Sequence, residues 1–253
     1  MFLSTTSNYM LSINQKFYNP SSILRQIMVF TFLFLMTFLI TSCKGDNKNQ
    51  KSENIEVVNS ETMDESLKAK TKKVIMFYGN SLTAGYRLEE SESFPSLIED
   101  KIDSLKMNYS VINAGLSGDT SYDGLKRLDW VLNSKVDVFI LELGANDMLR
   151  GLPLKNTREN LKAIVDKVKT KYPDAIIGLC AMSGAPNMGE DYVTEFEKIY
   201  TDLAELEGVN YIPFFLEGVA GHPDLLLADG KHPNAEGQKI VADNIWASLK
   251  NLL

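Results

Sequence analysis

The sequence predicts an open α/β domain over residues 73–253, a five-stranded parallel sheet with helices on both faces. Three observations predict it. Five short runs of β-branched and aromatic residues recur along this stretch, each the length of a strand. Between them, apolar residues return at helical spacing, and alternating strand and helix means a parallel sheet covered on both sides. Three of the runs end in loops crowded with Gly, Asn and Ser, as chain reversals at one sheet edge require.

Taken in order, the expected strands are Val74–Tyr78, Tyr109–Asn113, Val136–Leu143, Ala175–Met182 and Val209–Phe215. Phe94, Leu97, Ile98 and Leu105 share one face of a helix after the first strand. A second helix is expected over Ser121–Leu132. Leu161, Ile164, Val165 and Val168 line a third, for which Asn156 with Glu159 makes a capping-box start and Pro173 an end. Further helices are expected over Tyr192–Leu206 and Asn234–Leu252. Five strands in one such domain make a three-layer, flavodoxin-like arrangement, and about 180 residues suit a single domain.

The segment before this domain reads differently. Ile27 to Ile40 is apolar except for Thr31 and Thr37, and it follows Lys16 and Arg25 with no acid before it. These 14 residues fall short of the roughly 20 that span a bilayer but fit a signal-peptide core. Leu39-Ile40-Thr41-Ser42-Cys43 then resembles the lipobox of bacterial lipoproteins, in which the cysteine becomes the lipid-modified first residue. A secretory signal with an incidental Cys, or an uncleaved anchor, are the other readings. The long segment ahead of the apolar core leaves Met10 as an alternative start. The expected organisation is a signal peptide over 1–42, a polar tether over 43–72 and the domain over 73–253. The tether has too few large apolar residues to offset its chain entropy. Residence in the bacterial cell envelope, exported and lipid-anchored at Cys43 on the periplasmic or surface side, is the corresponding expectation.

Cleavage before Cys43 removes two of the 26 basic residues and none of the 33 acidic ones, taking the formal charge from −7 to −9. Membrane attachment would then come from acyl chains rather than from attraction to anionic lipid. No Lys/Arg-rich run is present, which argues against nucleic acid as a partner. Two Cys and two His leave no cluster with metal-ligand spacing. Cys180, in an apolar run, reads as a small buried hydrophobe rather than a catalytic thiol.

Ligands of open α/β sheets sit outside the carboxyl ends of the strands. The loops Gly79–Gly85, Asn113–Thr120 and Leu143–Asp147 all follow strand ends and should meet there. Ser81 lies in the first. It can be a helix N-cap or, with a base, a nucleophile. The two imidazoles are His222, in Gly-His-Pro-Asp with Asp224 close by, and His232, three residues after Asp229 across a glycine-containing turn. The second spacing can bring a carboxylate to one ring nitrogen; the first reads as an exposed loop histidine.

Four blocks carry a resemblance. They are Gly79-Asn-Ser-Leu-Thr-Ala-Gly85, Asn113-Ala-Gly-Leu-Ser-Gly-Asp-Thr120, Gly144-Ala-Asn-Asp147 and Asp229-Gly-Lys-His-Pro-Asn234. In this order the domain resembles the SGNH (GDSL-type) hydrolases, most closely the thioesterase/arylesterase/lysophospholipase branch. The resemblance implies the SGNH hydrolase fold and an ester hydrolase working without metal or nucleotide cofactor. It implies Ser81 as nucleophile, His232 as general base and then acid, and Asp229 as its orienting partner. The oxyanion hole would be the backbone N–H groups of Ser81 and Gly118 with the side-chain amide of Asn146. Gly118, lacking Cβ, would let a carbonyl approach the backbone. Met182, Met188, Phe215 and Leu216 are expected in the acyl pocket. One departure is Asn80, where the family usually has Asp. Asn retains an acceptor for a loop hydrogen bond, whereas the lost charge bears on pH dependence or rate. The substrate classes implied are lysophospholipids, aryl or short-chain acyl esters, and thioesters. Export favours lysophospholipids, short-chain esters or acetylated glycans over CoA thioesters. Two other readings remain: a silent lipoprotein that binds lipid or glycan, and a flavodoxin-like cofactor-binding module. The second has neither the G-x-x-x-x-G-K-[ST] nor the G-x-G-x-x-G signature.

Overall fold

All five apolar runs form strands in the structure, a computed structural model that describes residues 71–205 and 208–253. The expected signal peptide, Cys43 and the tether up to residue 70 lie outside the described residues. The strands are β1 (Lys73–Gly79), β2 (Tyr109–Gly115), β3 (Val138–Glu142), β4 (Ile176–Cys180) and β5 (Val209–Ile212). They form a parallel sheet in the order β2-β1-β3-β4-β5. Ile75 to Tyr78 are at most 1% exposed, as a strand covered on both faces must be.

The helices are α1 (Ser81–Ala84), α2 (Phe94–Ser104), α3 (Ser121–Val131), α4 (Ala145–Leu149), α5 (Leu154–Lys171), α6 (Glu190–Ala204) and α7 (Ala235–Leu249). α2 packs against α7, while α3 packs on α5 and α5 on α6, so two groups of helices sandwich the sheet. Leu161, Ile164, Val165 and Val168 are fully buried. Each such side chain stabilises the fold by about 1.5–3 kcal/mol.

Three local expectations need correction. Leu105 is 60% exposed, because α2 ends at Ser104; Ile102 takes the buried place one turn earlier. The capping box at Asn156 and Glu159 does not form. α5 starts at Leu154, whose side chain is buried, and the Pro153 carbonyl accepts the Asn156 N–H at 2.9 Å. Burial of Leu154 outweighs a cap worth about 1 kcal/mol. β5 stops at Ile212 rather than Phe215, since Pro213 has no N–H to donate to a ladder.

The register positions the site. Gly79 at the end of β1 stands opposite Gly115 on β2 and Glu142 on β3, so three chain segments leave the sheet at one level. β1 is followed in the chain by β2 on one side, and β3 lies on the other. The loops after β1 and β3 therefore flank the point where strand order reverses, which is where open α/β sheets bind ligands.

Candidate active site

The first loop is held by close backbone approaches. A Cβ on Gly79 would fall 2.1 Å from Thr83 Oγ1 and 2.5 Å from Glu142 Oε2, so only glycine fits. Asn80, not Ser81, is the N-cap of α1: its Oδ1 accepts the Leu82 N–H at 2.9 Å. The acceptor role expected of Asn80 is therefore filled. Ser81 becomes the first helical residue, and its N–H has no intrahelical acceptor. Arg127 braces the loop from α3, donating to the carbonyl oxygens of Gly79 (3.0 Å) and Ala114 (2.9 Å). Its guanidinium lies 4.2 Å from the centre of the Tyr78 ring.

The last loop brings the imidazole. Asp229 Oδ1 accepts the backbone N–H groups of Lys231 (3.0 Å) and His232 (3.1 Å), and Oδ2 lies 2.8 Å from His232 Nδ1. These contacts, the His232 backbone N–H first, hold the Asp229 carboxyl well below the usual carboxylate range. An ionised carboxylate only accepts, so Nδ1 carries the proton and Nε2 keeps a lone pair. Nε2 lies 2.8 Å from Ser81 Oγ, across 151 residues of chain. The Tyr86 ring packs on the imidazole at 4.5 Å between centroids. A bridge between Leu226 and Pro233 closes the loop behind His232, and Asn234 caps α7 by accepting the Gly237 N–H at 3.0 Å.

The two middle loops are joined to each other. Gly118, at φ 92°, is exposed, and its carbonyl oxygen accepts a 2.7 Å hydrogen bond from Arg150. Asn146 Nδ2 donates to the Asp119 carbonyl at 2.9 Å. Gly144, at φ 114°, passes so close to α6 that a Cβ would meet the Tyr200 hydroxyl at 2.1 Å. That hydroxyl donates to the Leu143 carbonyl at 2.9 Å. Asp147 is buried and accepts from the Ser121 N–H (2.7 Å), the Ser121 hydroxyl and Thr157 Oγ1 (3.2 Å), tying α4 to α3 and α5.

Ser81, Asn146 and His232 line one cleft of about 610 Å³. Met182 and Leu216, expected in an acyl pocket, line it as well. Phe215 does not: it is fully buried in the core against Phe94, and Phe214 lines the cleft instead. Neighbouring side chains in extended chain point opposite ways, and the break at Pro213 hides which of the pair faces out. Met188 packs on the core outside the cleft lining. Gly118 is likewise absent from the lining. Met148 and Leu149 are apolar lining residues that sequence reasoning missed, whereas Val219 and Leu226 belong to the loop Leu216–Leu227, which follows a late strand and is expected to shape the acyl pocket. His222 is exposed, as a loop histidine should be. Cys180 is fully buried without a disulfide, and burial pushes its thiol pKa well up, so it stays a protonated core residue.

The carboxylate that sequence reasoning missed is Glu142. It is 1% exposed and lies under the first loop. Its Oε1 accepts Asn80 Nδ2 at 2.7 Å; its Oε2 accepts the Asn80 N–H at 3.1 Å and Thr83 Oγ1 at 2.7 Å. An acid closing an otherwise apolar strand was the available signal.

Comparison with known proteins adds a lineage. The model of the GDSL-like lipase/acylhydrolase family matches residues 77–240. The arylesterase of Vibrio mimicus is 36% identical over 185 residues, which are 73% of this chain and 92% of that protein. Thioesterase 1/protease 1/lysophospholipase L1 of Escherichia coli is 35% identical over 189 residues, covering 74% of this chain and 88% of its own. Among solved structures, the psychrotrophic esterase EstA from Pseudoalteromonas sp. is 34% identical and has a TM-score of 0.68, over 72% of this chain and 98% of that one.

Proposed function

Because the chain belongs to the GDSL-like lipase/acylhydrolase family and is an ester hydrolase, we propose that it cleaves carboxylic esters through an acyl-enzyme on Ser81. The observation that carries this reading is the unbroken hydrogen-bond chain from Asp229 through His232 to Ser81 Oγ. Ser81 Oγ attacks the acyl carbon as its proton passes to His232 Nε2, and the Asp229 carboxylate stabilises the imidazolium that forms. The tetrahedral oxyanion is held by the free N–H of Ser81, the N–H of Gly118 and the amide of Asn146. Collapse expels the alcohol, protonated by His232. Water, deprotonated by the same imidazole, then attacks the acyl carbon and releases the acid and Ser81.

An acyl chain lies in the cleft along Met148, Met182, Phe214 and Leu216. Apolar walls with a few convergent polar groups suit a lipid or aryl ester. Lysophospholipids, aryl esters and short-chain acyl esters or thioesters are the proposed substrates. Cys43 is the proposed lipid anchor in the cell envelope; globomycin-sensitive processing and detergent partitioning that persisted in Cys43→Ala would refute it.

The test is hydrolysis of p-nitrophenyl acetate, butyrate and decanoate by the purified protein beside Ser81→Ala. Wild type should turn over, and the variant should lose at least about 10³-fold in kcat. A folded wild type with no turnover, and no labelling by a fluorophosphonate probe, would overturn the reading in favour of a silent lipid- or glycan-binding protein.

A further inference from the structure

Glu142 is a buried carboxylate for which the proposed chemistry has no task, and it touches neither the cleft nor His232. Its hydrogen-bond donors belong to the turn that carries Ser81. They are the N–H and side-chain amide of Asn80 and the hydroxyl and N–H of Thr83. Asn80 and Thr83 flank Ser81 in the chain, so Glu142 grips the turn just before and just after the serine. Gly79 leaves the space in which the Glu142 carboxylate sits, since a Cβ there would fall 2.5 Å from Oε2.

The donors also explain the asparagine. A buried charge is costly unless each lone pair facing protein is satisfied. Asn80 uses both ends of its amide: Oδ1 accepts the Leu82 N–H and Nδ2 donates to Glu142 Oε1. A carboxylate at position 80 could accept from Leu82 but would set an acceptor against Oε1. An amide at position 80 is thus matched to a charged acid at position 142.

We infer that Glu142 is a positioning residue for Ser81. Its charged carboxylate, acting through Asn80 and Thr83, holds the start of α1 so that Ser81 Oγ meets His232 Nε2. This inference rests on the nucleophile assignment of Ser81.

Glu142→Gln tests the matching, because it keeps the shape and removes two acceptor lone pairs. With its oxygen toward Thr83 and the Asn80 N–H, the new amide faces the Asn80 amide, donor against donor. Turned over, its NH₂ meets the Asn80 backbone N–H. Either way one N–H is left opposed, and the turn shifts. Adding Asn80→Asp restores the pattern with the charge exchanged: one Asp oxygen accepts from Leu82 and the other from Gln Nε2.

The measurement is kcat and KM for p-nitrophenyl butyrate at about pH 8.5, where the Glu142 carboxyl is ionised, with a thermal melt for each variant. Glu142→Gln should lower kcat by at least about 30-fold with KM within about two-fold. The double variant should regain at least about ten-fold of that loss, which no generic loosening of the fold would do. A folded Glu142→Gln within about three-fold of wild type in kcat overturns the inference, as does a double variant no faster than the single. If Glu142→Gln does not fold, the double variant decides. A kcat within about ten-fold of wild type supports the pairing, and a larger loss in a folded protein refutes it. Should wild type itself show no turnover while folded, the nucleophile assignment falls, and this inference with it. Turnover that Ser81→Ala abolishes but Glu142→Gln leaves intact sinks only the inference.

Discussion

The two loops that meet at Ser81 and His232 are built in opposite ways. The loop from Asp229 to Asn234 organises itself: Asp229 takes two N–H groups and an imidazole from within three residues, and the surrounding surface is open. The turn from Gly79 to Gly85 is buried, and its alignment comes from groups far away in the chain. Glu142 holds it from β3, Arg127 from α3, and Asn113 Nδ2 from β2 through the Thr83 carbonyl at 2.9 Å. The base is thus carried by a local motif and the nucleophile by a tertiary clamp. Damage to the first should cost rate with little stability, and damage to the second should cost both.

The largest effect expected is at the self-contained loop. Asp229→Asn leaves the backbone acceptor in place but can no longer enforce the tautomer of His232, so kcat should fall by about 10⁴-fold. The melting temperature should stay within a few degrees. A fall of more than about 10 °C would mean that the loop supports the fold after all.

Gly79→Ala and Gly230→Ala should separate the two loops by stability. At Gly79 the new methyl would meet Thr83 Oγ1, Glu142 Oε2 and the Glu142 carbonyl oxygen, all within 2.7 Å. Overpacking of this kind costs about 3 kcal/mol. At Gly230 nothing lies within 4 Å, and only a φ of 66° opposes the change, worth about 1 kcal/mol. Chemical denaturation of both variants would check this, and equal losses would contradict the contrast.

The same contrast should appear against pH. Burial pushes Glu142 from 4.5 up to about 7, against the pull of the Thr83 and Asn80 donors. Between those values the folded protein binds this proton more tightly than the unfolded chain. Stability from Glu142 is therefore present below about pH 4.5 and lost as pH rises through 7, by at most about 3 kcal/mol. Asp229 has the opposite sign: its pKa is depressed, so its contribution is present above the ordinary carboxylate range and is lost on acidification. Melting temperatures between pH 5 and 8 should fall less in Glu142→Gln than in wild type, and a parallel fall in both would remove Glu142 as the cause.

The smallest effect tests the acyl cleft. Leu216→Ala should raise KM for the decanoyl ester several-fold, whereas Met188→Ala, outside the cleft lining, should leave it within two-fold. Equal responses would mean that Leu216 does not contact the acyl chain.

The five strands and the apolar faces of the helices were legible because parallel strands buried on both sides are unbroken apolar runs and helical faces repeat. The pairing of Asp229 with His232 was legible because three residues and a glycine confine both side chains to one turn. At two of the places where expectation missed, tertiary packing prevailed. Burial of Leu154 outweighed the cap at Asn156, and Phe214 rather than Phe215 faces the cleft, a choice that the end of β5 before Pro213 leaves to packing.

The sequence by itself determined the strand and helix alternation, the family blocks and the residues able to perform acyl transfer, because these depend on residue type and short spacing. Only the tertiary structure decided that Gly79, Gly115 and Glu142 end their strands at one level, and that His232 Nε2 reaches Ser81 Oγ across 151 residues. It also decided that Glu142 sits beneath Asn80. Strand register and the satisfaction of a buried charge are properties of neighbours in space, and no spacing along the chain encodes them.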